Sequence, residues 1–487
     1  MSAPAATPAS AYRSAPRARS QEADLAFASV RDLAERVRRR RVSPVALTEL
    51  CLSRLERFGE GLGALVTLMR DSALAEARLA EREINAGRWR GPLHGIPYGA
   101  KDLLATAGVP TTWGAEPYRT QTFDYDATVV RRLREAGAIL VAKLAMVELA
   151  GGMGYNQPNA SFTGPGRTPW NRDYWSGGSS SGPGAAVAAG LVPFAIGSET
   201  SGSILTPAAY CGLSGLRPTY GRVSRHGAMA LSWSLDKLGP LCRTADDCGL
   251  VLQAIAGADR DDPSTADRAF AYEPQRLRRN GFTIGVLKVA PESVQPEVLA
   301  NFRASLDVLA QFGTLVPDVE FPDLPYGPTL STILGVEAAS AFEDLIESGR
   351  LSELTAPEDR TGGYVNTVVL AVDYVKALRM RVVIDQRIDE LLGRFDAVVA
   401  PTRNTVASPI GVLFREAYPG LRGGAPIIGA TNVAGVPAVC VPNGFGQNGL
   451  PTSLQLVARA WEEPTLLAVA AEYQRRTDWH ARHPSGY

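Results

Sequence analysis

Between residues 127 and 196 the chain alternates two periods. Helical stretches at 127–135 and 183–189 are interleaved with short apolar runs at 138–142 and 192–196. Strands separated by helices of that length predict an α/β fold, a sheet with helices packed on it. Strand-like runs return at 282–287, 397–400 and 438–441, and residues 289–393 read as mostly helical. Ahead of the alternation, residues 28–90 read as a helical layer. Ser43 before Pro44 has the form of an N-cap and first helical residue, and Leu47, Leu50, Cys51, Leu55 and Phe58 mark one apolar face. The Asp-, Arg-, Ser- and Pro-rich stretch from Asp259 to Pro274 reads as a connection within one fold.

A chain of 487 residues that is 45% apolar can bury a large core, and 50 basic residues balance 50 acidic ones. No overall field draws the protein to nucleic acid or to anionic lipid, so neither is expected as a partner. The basic run from Arg36 to Arg41 follows the apolar positions Val30, Leu33, Ala34 and Val37, and cations are favoured at a helix C-terminus. The five cysteines form no C-x-x-C pair, and no uninterrupted apolar stretch of about 18 residues occurs. Residues 1–27 read as a disordered tail without an apolar signal core. These features predict a cytoplasmic protein with reduced thiols and no membrane segment. No His, Cys and carboxylate set has metal-ligand spacing and no glycine pattern for a nucleotide follows a strand, so neither metal nor cofactor is expected.

The chemistry-bearing stretches are GGSSSG (177–182) and GSETSGSI (197–204), each beside an apolar run. Singly, Gly/Ser clusters make turns. Here Ser179 and Ser203 are 24 residues apart (203 − 179), and upstream lies GPLHGIPYGAKD with Lys101 beside Asp102. Further motifs follow in order: DATVVRRLREAGAILVAK, AAYCGLSGLRPTYGRVS, LSWSLDKLGPLCRTADD, TNVAGVPAVCVPNGF and LPTSLQLVARAWEE. Together they resemble the amidase signature family over most of residues 28–475, with 260–395 matching weakly. The resemblance implies one large α/β domain over 28–487, a mixed central β-sheet covered by helices on both faces, divided into the helical layer (28–90), a catalytic core (91–257), a variable substrate-entrance region (258–395) and a C-terminal core segment (396–475).

The resemblance implies that Ser203 is the nucleophile of an acyl-enzyme mechanism and that Ser179, after a cis peptide bond from Gly178, relays its proton to Lys101. It places the oxyanion hole at Thr200, Ser201, Gly202 and Ser203, and substrate contacts at Gly151, Gly152, Met153 and Leu205. The residue chemistry agrees. A serine needs an adjacent base, and none of the four histidines accompanies a G-x-S-x-G elbow. A lysine serves as base only when neutral, which requires a dry site, since its ordinary pKa is about 10.4. Asp102 works against this if its carboxylate faces the Lys101 amine. Lys143 has no evident serine partner, and Asp126, Asp236 and Arg222 read as structural.

The loop departs from the usual G-T-D-T-G-G-S-I-R, with Glu199 in place of Asp, Ser201 of Gly and Leu205 of Arg. A serine at 201 is strained if that position needs positive φ. Ser181 and Pro183 also differ from the commoner Gly and Ser. With Leu205 in place of a cation and apolar residues such as Ile333, Leu334, Phe342, Tyr364, Val368 and Leu370 in the weakly matching region, the sequence predicts a stand-alone amidase. It would act on a neutral, partly hydrophobic small amide, with aryl esters and carbamates as further substrates, as a monomer or homodimer whose only partner is that small molecule. The alternative is the A subunit of the glutamyl-tRNA amidotransferase, which frees ammonia from glutamine. Those subunits carry R-I-x-L-G where this chain reads TVVLAVDYVKALRMR, and an Asp near the position of Ala425.

Overall fold

Strands make the frame of the computed structural model, which describes residues 22–274, 281–421 and 426–487. Among these residues eleven strands join one sheet: β1 (Leu65–Leu68), β2 (Pro97–Lys101), β3 (Ile139–Leu144), β4 (Phe194–Glu199), β5 (Ser214–Arg217), β6 (Lys237–Cys242), β7 (Phe282–Leu287), β8 (Gly313–Val319), β9 (Ala397–Pro401), β10 (Ala438–Phe445) and β11 (Pro451–Val457). Their order is β1-β3-β2-β4-β6-β5-β10-β11-β9-β7-β8. β2 runs parallel to β3 and β4, and β7 parallel to β8 and β9, while the remaining neighbours are antiparallel. The sheet is therefore mixed, and the chain forms a single α/β domain.

Every residue of β2, β3, β4 and β6 is buried. A strand covered on both faces needs no polar side, which is why the parts of β3 and β4 at 139–142 and 194–196 read as continuous apolar runs rather than alternations. Alternate residues divide between two cores. In β9, Ala397 and Val399 join the cluster containing Leu33, Val251 and Phe302, whereas Val398 and Ala400 join the one containing Leu52, Ala186 and Ala208. Helices thus cover both faces.

Local signals account for the first helices of the chain. The helix Pro44–Phe58 starts where Ser43 accepts from the backbone N–H of Val45 and Ala46. The helix Val30–Arg38 buries Val30, Leu33, Ala34 and Val37, and Arg36 in its last turn pairs with Asp24 and Asp32. Of the tail expected over 1–27, residues 1–21 lie outside the described residues; 22–26 are helical, and Phe27 stacks on His483 with ring centroids 4.0 Å apart. One element of the region read as mostly helical is a strand. β8 is the sheet's last strand, mostly part-exposed, and it contains Pro317, which an edge tolerates because its outer side needs no N–H donor. No helix among the described residues is long and apolar enough to cross a membrane.

Candidate active site

The parallel strands β2 and β4 end side by side, Lys101 closing the first and Glu199 the second, with Lys237 of β6 opposite Glu199. The C-terminal edge of parallel strands is where open α/β sheets collect reactive groups. Lys101 is fully buried, and its Nζ lies 2.7 Å from Ser179 Oγ and 2.9 Å from Ser198 Oγ. Burial lowers its pKa to about 7, outweighing the opposing pull of Asp236 and Glu199. Asp102 does not oppose this at contact range. It lies 3.0 Å from Lys143 Nζ and accepts from the backbone N–H and the hydroxyl of Thr112. Lys143 also donates to Thr111 Oγ1 at 2.7 Å, so its amine belongs to a buried ion pair away from the serines.

Ser179 sits just ahead of the helix Ser181–Ala188, after a cis Gly178–Ser179 peptide. A side chain at Gly178 would reach within 2.6 Å of Trp175 and 2.7 Å of Val147, so glycine is needed for this approach. The Ser180 N–H donates to the Ser203 carbonyl at 3.3 Å, joining the two serine loops. Ser203 stands in the turn between β4 and the helix Leu205–Cys211. The positive φ of that turn falls at Gly202 (87°); Ser201 is not among the positive-φ residues and is unstrained. Glu199 shapes the turn. One carboxylate oxygen accepts from the N–H groups of Ile204 (2.9 Å) and Leu205 (3.0 Å), and the other meets Arg217 at 3.0 Å and Asn432 at 3.1 Å. Arg217 and the two turn amides hold the Glu199 pKa down against its burial. Thr200 donates its hydroxyl to Asp236 at 2.5 Å, and Asp236 in turn accepts from the N–H groups of Leu231 and Ser232. Among the described residues the N–H groups of Ser201, Gly202 and Ser203 donate to no protein acceptor. Amides left free beside a serine form a nest for developing negative charge.

Two cavities flank this turn. Ser203, Gly178, Ser201 and Thr206 open into one of about 440 Å³, walled further by Tyr155, Trp175, Tyr210, Arg403 and Arg415. Ser198, Thr200 and Asp236 border the other, of about 960 Å³, with Trp113, Phe123, Leu231 and Phe342. Of the residues expected to touch substrate, Gly151 packs on Tyr155 and Gly152 on Leu231, both cavity-wall residues, while Met153 abuts Gly362. Leu205 is buried in the core below the turn and lines neither cavity. Phe342 faces the larger cavity, whereas Tyr364, Val368 and Leu370 are exposed. Ala425 lies outside the described residues. Sequence reasoning missed Ser198 and Arg403. Ser198 lies within the GSETSGSI stretch but inside a strand, and Arg403 has no motif around it. Among the described residues no three His, Cys, Asp or Glu side chains gather as metal ligands, and Asp126 and Arg222 are structural partners of Arg134 and Glu463.

The family model described as Amidase matches residues 46–467. The glutamyl-tRNA(Gln) amidotransferase A subunit of Roseiflexus sp. is 37% identical, over 93% of this chain and 97% of its own. In three dimensions the native peptide amidase of Stenotrophomonas maltophilia superposes with a TM-score of 0.80 at 33% identity, covering 92% of this chain and 96% of that one. The glutamyl-tRNA(Gln) amidotransferase A subunit of Thermotoga maritima superposes with a TM-score of 0.75 at 27% identity, covering 93% and 96%. These relatives overturn two expectations. The stand-alone enzyme for neutral, partly hydrophobic amides gives way, because near-full-length relatives are amidotransferase A subunits. A small molecule as the only partner of a monomer or homodimer gives way for the same reason, since those relatives are by name subunits of a larger enzyme.

Proposed function

Because the chain belongs to the amidase family, we propose that it releases ammonia from the side-chain carboxamide of glutamine in the manner of an amidotransferase A subunit, with Ser203, Ser179 and Lys101 as its catalytic groups. Near-full-length similarity to amidotransferase A subunits supports glutamine as the substrate, and the Lys101 amine, 2.7 Å from Ser179 with burial holding its pKa near 7, supports the catalytic groups. A neutral amine there takes a proton from Ser179 as Ser179 takes one from Ser203, whose oxygen attacks the carboxamide carbon. The N–H groups of Ser201, Gly202 and Ser203 receive the tetrahedral oxyanion. The proton returns along the same path to the departing nitrogen, ammonia leaves, and water attacking by the same route frees the acyl group as a carboxylate.

A protein partner that consumes the ammonia fits the exposed apolar strip formed by Val365, Val368, Leu370, Val372 and Val375, since such strips on a soluble chain commonly meet another chain. That strip places the partner on the region 258–395, which among the described residues contributes only Ser293 to the wall of the cavity at Ser203. The test is a panel of glutamine, a simple anilide, an aryl ester and an aryl carbamate, with ammonia or leaving group measured, alongside phosphonate labelling. Glutamine turnover with label on Ser203 is expected. Higher kcat/KM for the anilide or the carbamate, or label on another residue, defeats the reading.

A further inference from the structure

The wall of the 440 Å³ cavity holds two guanidinium groups and no carboxylate. Arg415 is a surface residue, its side chain 77% exposed and 3.3 Å from Glu416. Arg403 is different. It follows β9, its Nε is buried without a hydrogen-bond partner, and its guanidinium lies 6.0 Å from the centre of the Tyr210 ring. Among the described residues no carboxylate pairs with it, and residues 1–21, 275–280 and 422–425 contain no Asp or Glu. The larger cavity has the opposite character. Asp236, Asp261, Asp262 and Glu337 line it, and its one arginine, Arg225, lies 3.5 Å from Asp262.

A guanidinium in a cavity wall that offers it no carboxylate is matched by a planar oxyanion, which takes two parallel N–H bonds. The same cavity contains Ser203, so an anion held there belongs to a molecule whose other end reaches the serine. We propose that Arg403 receives the carboxylate of the substrate and thereby selects primary amides that carry a carboxylate at their far end. This inference rests on Ser203 being the nucleophile.

The test compares glutaramate, a primary amide with a carboxylate at its other end, with butyramide, which lacks the charge. In the wild-type chain kcat/KM is expected to favour glutaramate. Arg403→Met is expected to cut the glutaramate-to-butyramide ratio at least tenfold, through KM, and Arg403→Lys to recover part of it. Equal losses on both amides, or an unchanged ratio, overturn the proposal. Calorimetric titration of glutarate into Ser203→Ala protein, with and without Arg403→Met, separates this from the nucleophile assignment. If wild type turns over neither amide, the serine reading fails, while binding that disappears with Arg403→Met still upholds Arg403 and binding unaffected by it refutes it.

Discussion

The carboxylate of Asp102 is bound to Lys143 at 3.0 Å, although Lys101 is its neighbour in the chain. The Lys101 amine is thereby left with two serine hydroxyls and no acidic contact.

Turnover is therefore expected to rise with pH along a limb centred near 7, the region to which burial lowers Lys101. Lys101→Ala removes that limb. Stability carries the same signature. The folded chain resists protonating Lys101 until about pH 7 while the unfolded chain takes the proton near 10.5, so native stability falls as pH drops from 10.5 to 7 and this contribution is level below. Lys101→Met should accordingly gain Tm relative to wild type more at pH 7 than at pH 9.5. A gain independent of pH would show that the amine is already charged in the fold.

Ser203→Ala is expected to lower kcat by about 10⁴-fold or more and Ser179→Ala by a large but smaller factor, because the first loses the attacking oxygen and the second the proton path. Thermal melts of both variants should stay near wild type. A well-folded Ser203→Ala chain with ordinary activity would falsify the assignment.

Breaking the Asp102–Lys143 pair by Asp102→Ala or Lys143→Ala leaves a buried charge without its partner, at a cost of about 3–5 kcal/mol. The double replacement is expected to cost less than the sum, as measured by urea unfolding. Additive losses would mean that the two side chains do not interact.

In the turn that carries Ser203, Gly202→Ala and Ser201→Gly should behave oppositely. Alanine at 202 must hold φ near 87° and place its methyl 3.1 Å from Thr206 Oγ1, so stability falls by about 1–2 kcal/mol and kcat with it. Ser201→Gly relieves no strain and should change activity only slightly. Paired melts and rate measurements decide between this and a turn whose special conformation sits at 201.

Glu199→Ala removes the acceptor of two turn amides and strands Arg217 in the core, so a loss of about 3–5 kcal/mol and of most turnover is expected. Glu199→Asp keeps the charge but shortens its reach, and should retain more of both than alanine does. Equal damage by the two would place the effect in side-chain length alone.

Where burial is complete or nearly so, the sequence was readable. The run 282–287 coincides with β7, in which only Thr283 and Val286 are part-exposed, and the run starting at Ala397 opens the fully buried β9, because strands covered on both faces are mostly apolar. β8 escaped because half-exposed positions and Pro317 weaken its pattern. In the site, ordered motifs brought Lys101, Ser179 and Ser203 to notice together. Ser198 was not noticed, since its contact with Lys101 spans 97 positions of chain and leaves no local mark. Arg403 reads as one more surface charge until the fold sets it in the cavity wall beside Ser203.

The strand order has a further consequence. Lys101, Ser179, Ser198 and Ser203 come from the stretch of chain that builds β2 and β4, whereas Arg403 arrives two hundred residues after Ser203 (403 − 203), from the far half of the sheet. The groups proposed to cut the bond and the arginine proposed to sort what reaches them are inherited on separate stretches of one gene, although Tyr155, Trp175 and Tyr210 of the same wall lie on the first. Drift or selection can rewrite the second while the first stays untouched, so descendants of such a chain can change diet without relearning how to cut.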